Sequence, residues 1–209
     1  MHYEILDKKR IDLLPTLAKF RDNFYLAGGT GLALQIGHRD SIDFDFFTPD
    51  HFDTRKLYDQ VREVFASHKI EKTQEEKDTL SIILDEELKV SFLSYPYPVI
   101  DEFVHEAHIN IASIRDIACM KLGAITSRSV LKDYVDLYFI FNSHLLPDIL
   151  ACLEKKMPDQ DQNLVLKCLT YFEDIIEDKI VFKNGTDVPF DTIKKFLVEE
   201  VKKIYTKLK

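Results

Sequence analysis

Cysteine is scarce in this chain and lacks the paired spacing of zinc sites and disulfide frameworks. Cys119, Cys152 and Cys168 are widely separated and odd in number, so reduced and mostly buried thiols are expected. The seven histidines show no HExxH or comparable ligand spacing, and no zinc site is predicted. Neither a Ser-His-Asp arrangement with local support nor a candidate catalytic cysteine is present.

Positive charge is also limited. The 209 residues carry a formal net charge of −8, which excludes a global basic field for nucleic acid. A nucleic-acid substrate would need a bound metal ion or a local basic patch, such as the lysines of the C-terminal helix, which otherwise form a solvated face. No apolar run approaches the roughly 20 residues that cross a bilayer, and the N-terminus lacks the apolar core of a signal peptide. The sequence predicts a cytoplasmic protein without a membrane partner.

Periodicity and turn signals divide the chain into two halves. Residues 1–98 predict an α+β core and residues 99–209 a helical domain that completes the active site. No internal repeat or low-complexity segment interrupts either half.

The α+β half begins with a helix over residues 4–20 that Pro15 is expected to break. A short strand at "FYLAG" then ends at Gly28-Gly29, and Thr30 is expected to cap a helix that stops at Gly37. After the "SIDFDFF" strand come an amphipathic helix capped by Asp53 or Thr54, three strands and a charged turn. The predicted strands are 68–73, 79–84 and 87–93, with the turn at 85–87.

The helical half opens with a capping box at Ser113, which starts a helix running to about Ser127. A second helix is predicted from near Lys132, and Pro147 and Pro158 bound a third. Two further helices are predicted over 162–178 and 190–208.

Three glycines in "GGTG", Gly28 to Gly31, are the first candidate for function. The pattern is neither GxxxxGK[ST] nor GxGxxG, so neither the Walker A nor the dinucleotide fingerprint applies. A Gly-Gly turn that leads into a helix presents backbone N–H groups and a positive helix end to which phosphate can bind. The alternative is a plain tight turn in which one glycine needs a positive φ.

Asp43 and Asp45 form the second candidate. Strand alternation puts Ile42, Phe44 and Phe46 on one face and both carboxylates on the other, with backbones roughly 6.5–7 Å apart. Carboxylates at that spacing can converge on a hard cation such as Mg²⁺. An exposed acidic edge fits the same pattern, but an uncompensated carboxylate pair in such apolar surroundings would be costly.

A third pattern lies in "MKLGAITSRSVLKDYVD". Lys121 and Arg128 are seven residues apart, which predicts one face of a single helix. Asp133 and Asp136 share a face of the next helix. The four charges are consistent with catalysis or with an interhelical salt-bridge network.

These residues resemble a known family. A Gly-Gly turn at a strand-helix junction followed by Asp-x-Asp on the next strand resembles the polymerase β-like nucleotidyltransferase superfamily. "LAGGTGLALQIGHRDSIDFDFF" and "IACMKLGAITSRSVLKDYVDLYFI" look like two motifs of the AbiEii/AbiGii toxin group. The resemblance covers roughly residues 20–145 and implies a nucleotidyltransferase-like mixed sheet flanked by helices.

The resemblance also implies roles for individual residues. Gly28, Gly29 and Thr30 would hold nucleotide phosphates, and Asp43 and Asp45 would be metal ligands. Lys121 would reach the triphosphate or the developing charge, and Asp133 would be a catalytic or substrate-positioning acid. The other candidates are Asp136 as a structural or nucleotide contact, and Arg128 and Lys132 as cations for phosphate or acceptor.

Two neighbours of these motifs have open interpretations. Arg39 can reach a phosphate or pair with Asp40 or Asp43. His38 fits a structural hydrogen bond better than a catalytic base. Polymerase β-like enzymes usually bring a third metal-binding carboxylate from a later strand, and Ser91 occupies the aligned position in this sequence. Either two carboxylates hold the metal or Asp133 substitutes for the third.

The implied activity is a Mg²⁺-dependent transfer of a nucleotidyl group from an NTP to a hydroxyl of a tRNA 3′ end or a protein side chain. The family also implies a cognate antitoxin as partner. The alternatives are a kinase-like phosphotransferase and a non-catalytic nucleotide- or protein-binding module on the same fold.

Overall fold

The computed structural model describes residues 1–207, and within that range one seven-stranded mixed sheet is flanked by helices. The strands are β1 (Tyr25–Leu26), β2 (Phe44–Thr48), β3 (Ile70–Glu76), β4 (Thr79–Leu84), β5 (Leu88–Ser94), β6 (Val104–His105) and β7 (Asn110–Ile111). The helices are α1 (Lys8–Leu17), α2 (Gly28–Ile36), α3 (Thr54–Val64), α4 (Ile114–Ala124), α5 (Leu131–Phe141), α6 (Leu146–Lys156), α7 (Gln162–Leu169) and α8 (Phe190–Lys207).

The strand order is β3-β4-β5-β2-β1-β7-β6. The pairs β2–β5 and β1–β7 are parallel and the other neighbours are antiparallel. The predicted fold class is therefore confirmed: a mixed sheet with flanking helices, followed by a helical half.

Each face of the sheet packs against its own hydrophobic core. Side chains of α1 and α3 cover one face, where Phe44 and Phe46 of β2 are fully buried. Helices α4 to α8 form the core on the other side, which Tyr25 and Ala27 of the β1 region join. Asp45 alternates with the two phenylalanines and so faces the side of the helical half.

The prediction for Ile42 is wrong. It precedes β2, is 51% exposed and does not share the buried face of Phe44 and Phe46. Its carbonyl oxygen accepts a hydrogen bond from Arg10 Nε at 2.7 Å, which draws the chain out of the sheet before the strand begins. Asp43 also lies just before the strand.

Two predictions about the first helices also fail. Pro15 lies inside α1 without breaking it; the helix begins after Asp7, whose side chain accepts from Arg10 N. Thr30 is the third residue of α2 and not its cap, because Ala27 occupies the cap position without a side-chain hydrogen bond. The predicted end at Gly37 is confirmed, with φ at +65°.

The three predicted strands of the central region correspond to β3, β4 and β5, and Asp53 caps α3 as one of the two expected residues. Asp85 and Glu86 adopt positive φ in the predicted charged turn. Strands β6 and β7 were not predicted, since two residues each carry too little alternation to read. They extend the sheet beyond residue 98, and the division into residues 1–98 and 99–209 stays a prediction.

In the helical half, Ser113 caps α4 by accepting from Asp116 N, as expected. Helix α7 ends at Leu169, so the predicted helix over 162–178 is too long. The Tyr134 hydroxyl lies 3.2 Å from the Cys168 carbonyl oxygen and 3.3 Å from the Tyr171 carbonyl oxygen. This hydroxyl is a hydrogen-bond donor for the carbonyl groups at the end of α7. Residue 208 of the last predicted helix lies outside the described residues.

Within residues 1–207 no helix combines the length and the apolar run that a membrane crossing requires.

Candidate active site

The aspartate pair lies at the amino end of β2, on the sheet face toward the helical half. Parallel pairing with β5 places Asp45 directly beside Ser91. Asp43 comes immediately before the strand, and its carbonyl oxygen accepts a hydrogen bond from the Thr30 hydroxyl. Helix α2 is thereby fastened to the segment that carries both carboxylates.

The glycine turn adjoins this pair. Gly28 has φ at +64°, and a Cβ there would lie 3.5 Å from Asp45 Oδ2. A Cβ at Gly29 would lie 2.7 Å from an Arg39 guanidinium nitrogen and 2.9 Å from Ser41 Oγ. The turn therefore needs glycine at the first position for its φ and at the second for the close approach of Arg39.

The first amide groups of α2 precede the helix's own hydrogen bonds. The earliest intrahelical bond runs from Gly31 N to Ala27 O at 3.1 Å, so the N–H groups of residues 28–30 come before that ladder. Together with the helix dipole they make this end of α2 suitable for an anion. The Thr30 side chain does not share in it, because its hydroxyl is buried, donates to the Asp43 carbonyl oxygen and is also hydrogen-bonded to Ser41 Oγ.

The electrostatics of Asp45 differ from those of an ordinary surface carboxylate. Burial and the nearby charge of Asp43 raise its pKa. A hydrogen bond from Ser91 and the charges of Lys89 and Lys121 act in the opposite direction without cancelling the shift. Asp45 thus favours a proton or a cation close to its carboxylate.

Lys121 lies between the two acids of α5. Its Nζ is 2.6 Å from Asp133 Oδ1 and 2.6 Å from Asp136 Oδ2, and the three side chains are nearly completely buried. Asp133 and Asp136 do share one face of their helix, as expected. Arg128 does not lie on the helix of Lys121, because α4 ends at Ala124; it reaches Asp133 from the following turn, at 3.2 Å.

Arg39 and His38 bind the same buried network from the other side. Arg39 Nε lies 2.7 Å from Asp136 Oδ1, and His38 Nε2 lies 2.8 Å from that oxygen. The predicted alternative for Arg39, an ion pair with Asp40 or Asp43, is wrong. Of those two residues, Asp40 accepts a hydrogen bond from Arg39, and it does so through its carbonyl oxygen. The expected structural hydrogen bond of His38 is present.

Asp136 is the centre of this network and is completely buried. Burial alone would raise its pKa, but the charges of Arg39 and Lys121 and the hydrogen bond from His38 hold the pKa well below its usual value. Burial lowers the pKa of His38 in turn, against the hydrogen bond with Asp136. The network therefore contains an ionised aspartate shared by two cations and a histidine, out of contact with solvent.

An irregular segment over residues 170–189 crosses the back of this network. Lys183 N donates to the His38 carbonyl oxygen and Asp40 N donates to the Val181 carbonyl oxygen. At the other end, Leu131 N donates to the Ile176 carbonyl oxygen. Lys132, a predicted phosphate or acceptor contact, pairs with Asp178 of this segment at 2.6 Å.

Lys89 was missed in the sequence. It lies two residues before Ser91 on β5, and alternation puts both on the face of Asp45. The signal was present: the strand reads "LKVSFLS", and its one charged side chain falls in phase with Ser91.

Most lysines of α8 are unsuited to a nucleic-acid patch. Lys194, Lys202 and Lys203 each pair with an acid three residues earlier in the helix. The solvated face is therefore the better interpretation of that helix.

A cavity of about 860 Å³ opens elsewhere, lined by Phe24, Phe52 and Phe103 among others. It also includes Thr48, at the carboxyl end of β2, whereas the aspartates lie at the amino end. The lining of the cavity includes neither Asp43 nor Asp45, so it is separate from the aspartate pair.

Comparison with known proteins identifies the family. The model of the family described as "Nucleotidyl transferase AbiEii toxin, Type IV TA system" matches residues 12–204, nearly the whole chain. The chain belongs to the AbiEii family. It is therefore a nucleotidyltransferase of a toxin-antitoxin family, and the resemblance inferred from the two motifs is confirmed.

Relatives of this AbiEii chain are known in sequence and in structure. An uncharacterized protein of Aquifex aeolicus is 39% identical over 163 residues, covering 75% of this chain and 77% of that protein. JHP933 from Helicobacter pylori superposes with a TM-score of 0.59 at 18% identity, covering 97% of this chain and 94% of its own. The nucleotidyltransferase toxin MenT4 from Mycobacterium tuberculosis gives 0.61 at 15%, covering 91% and 80%. The two structures support the fold.

The residues of the AbiEii chain fit a divalent cation at the aspartate pair. Asp43 lies close enough for its charge to act on Asp45, and together with burial it raises the pKa of Asp45, which a bound cation would relieve. Oxygen ligands of this kind suit Mg²⁺. No group of three or more His, Cys, Asp or Glu side chains in the described range is arranged to hold a metal ion, so further ligands would come from substrate and water.

Proposed function

We propose that the chain transfers a nucleotidyl group from an NTP to a hydroxyl of RNA, such as a tRNA 3′ end, or of a protein side chain. Asp43 and Asp45 are proposed as the ligands of Mg²⁺. One observation carries this proposal: a Cβ at Gly28 would lie 3.5 Å from Asp45 Oδ2. A helix end suited to an anion therefore lies next to the carboxylate pair.

In the proposed reaction the acceptor hydroxyl gives its proton to solvent and its oxygen forms a bond to the α-phosphorus. The bond from that phosphorus to the oxygen bridging the α- and β-phosphates breaks, and pyrophosphate leaves with that oxygen. The amides of Gly28 and Gly29 and the positive end of α2 would bind the phosphates. When bound, the divalent cation neutralises phosphate charge and lowers the pKa of the attacking hydroxyl. Asp43 and Asp45 hold that cation.

The buried network has a supporting role in this proposal. Arg39, which was a candidate phosphate ligand, is committed to Asp136 and lies under Gly29. Lys121 and Asp133 are likewise paired to each other and buried. We propose that these residues fix the positions of the glycine turn and the aspartate segment, and that Arg128, which pairs with Asp133 from the turn after α4, belongs to the same support.

A test uses NTPs labelled at the α- or the γ-phosphate, incubated with Mg²⁺ and either total RNA or total protein. Transfer of α-label to one acceptor class, lost in Asp43→Asn and Asp45→Asn but retained in Asp50→Asn, is expected. Asp50 is an exposed aspartate at the other end of the same strand and controls for the charge change. Transfer of γ-label would indicate a kinase-like reaction, and α-label transfer that survives in both variants would contradict the metal assignment.

The family description also supports a cognate antitoxin as a functional partner. We propose that co-expression with the product of an adjacent antitoxin gene relieves growth inhibition by the wild-type chain. Asp45→Asn should be non-toxic without any antitoxin.

A further inference from the structure

The cations near the candidate site are mostly committed to carboxylates. Lys121 is bound by Asp133 and Asp136, and Arg39 is bound by Asp136. A buried ammonium that already has two carboxylate partners cannot turn toward a phosphate without leaving them uncompensated. The more exposed cations are paired as well: Arg128 with Asp133, Lys132 with Asp178 and Lys183 with Asp40.

Lys89 differs from all of these. Its side chain is exposed, and no carboxylate of the described residues lies within 4.0 Å of its ammonium group. The acids closest in the chain are otherwise engaged, since Glu87 pairs with Lys9 and Glu86 with Lys69. Its charge is therefore available to an external anion.

The position of Lys89 follows from the strand register. Asp45 pairs with Ser91 and Phe44 with Val90, so the next step along both strands leads to Asp43 and Lys89. Neighbouring strands lie about 4.8 Å apart, a spacing that a lysine side chain readily spans.

We propose that Lys89 is the cation that contacts the phosphate chain of the NTP, in the position that the sequence suggested for Lys121. Lys89 lies on β5, on the opposite side of β2 from β1 and the glycine turn, so its side chain would meet the phosphates from the side opposite the helix end. This inference depends on the proposed nucleotidyl transfer at the same site.

The test measures nucleotide binding without turnover. The wild-type protein, Lys89→Met, Lys89→Arg and Lys77→Met are titrated by calorimetry with α,β-methylene analogues of the four ribonucleoside triphosphates in the presence of Mg²⁺. Lys77 is an exposed lysine in the β3–β4 turn, near the carboxyl end of β5 and so at the opposite end of the strands from Lys89, and its substitution removes the same charge. Circular dichroism verifies that each variant is folded.

We expect Lys89→Met to weaken Kd about tenfold, as for loss of one charged contact, with Lys89→Arg within about threefold and Lys77→Met unchanged. Binding by Lys89→Met equal to that of wild type would overturn the inference. If Lys89→Met bound the analogues like wild type but raised the KM for the acceptor in the transfer assay, Lys89 would belong to the acceptor site instead. Failure of the wild-type protein to bind any analogue would overturn the proposed function and this inference together.

Discussion

Asp45 and Ser91 are direct neighbours on parallel strands, with the Ser91 hydroxyl able to donate to the Asp45 carboxylate. The residue that pairs with the partly buried Asp45 is therefore neutral, and the proposed cation would compensate the charge of the Asp45 carboxylate. Across the next strand Ser91 pairs with Ser81, so a row of small hydroxyl side chains runs outward from Asp45. A negative charge can therefore be introduced by substitution either on the strand next to Asp45, at Ser91, or one strand farther away, at Ser81.

Ser91→Asp should place a second carboxylate against Asp45. In the absence of divalent cation we expect a lower melting temperature at pH 7, because like charges at this distance repel. Added Mg²⁺ should raise the melting temperature more than in wild type, since three carboxylates bind it more tightly. Ser81→Asp, one strand farther away, is the matched control and should respond to Mg²⁺ as wild type does. An equal response of the two variants would contradict the assignment of the site to Asp45.

Asp45→Asn should stabilise the metal-free protein at neutral pH while abolishing transfer. Burial raises the pKa of Asp45 in the folded protein, so its favourable contribution is present below the unfolded pKa and is lost as the pH rises through the folded pKa. The melting temperature of Asp45→Asn should exceed that of wild type at pH 7, and the difference should shrink as the pH falls toward 3. Scanning fluorimetry across this range measures it, with the exposed Asp50→Asn as the control. A variant no more stable than wild type at pH 7 would show that the buried charge is already compensated.

Gly28→Ala and Gly185→Ala form a matched pair. Both glycines have positive φ, at +64° and +69°, so each alanine should cost roughly 1–2 kcal/mol of stability. A Cβ at Gly185 meets nothing within 4 Å, whereas at Gly28 it lies 3.5 Å from Asp45 Oδ2. Chemical denaturation should give similar losses for both, and only Gly28→Ala should weaken binding of a nucleotide analogue. Weakened binding in both would indicate an indirect effect of instability.

Asp136→Asn should be the most destabilising of these substitutions. Removal of the shared carboxylate charge leaves Arg39 and Lys121 incompletely compensated in the interior, which typically costs about 3–5 kcal/mol. At roughly 2–4 °C per kcal/mol for a chain of this size, the melting temperature should fall by about 6–20 °C, without any nucleotide present. Asp178→Asn, which loses the more exposed pair with Lys132, should change stability by about 1 kcal/mol or less. A stable Asp136→Asn protein that fails only in nucleotide binding would restore the substrate-contact hypothesis for Asp136.

The sequence predicted the features that depend on local pattern. Alternation identified the face of Asp45, and the glycine at Gly37 identified the end of α2, because both signals lie within a few residues. The partner of Arg39 could not be read, since Asp136 is 97 positions away and nearer acids were available. The prediction for Ile42 is wrong for a related reason. The carbonyl oxygen of Ile42 accepts a hydrogen bond from Arg10, 32 positions earlier, and not from a neighbouring strand. Lys89 belongs to neither family motif, but the alternation of side chains along β5 places it on the same face as Ser91.

The distance in sequence between Arg39 and Asp136 also sets an order of assembly. Until residue 136 has left the ribosome, Arg39 and His38 lack the carboxylate that holds the loop between α2 and β2. A nascent chain carrying only the sheet can place its glycine turn beside Asp45 through the Ala27 N–Asp45 O hydrogen bond, but it lacks the carboxylate that fixes Arg39 against Gly29. Long-range contacts of this kind slow folding. For a chain of a toxin family, this delay would leave the buried support of the proposed nucleotide site incomplete until residue 136 has emerged.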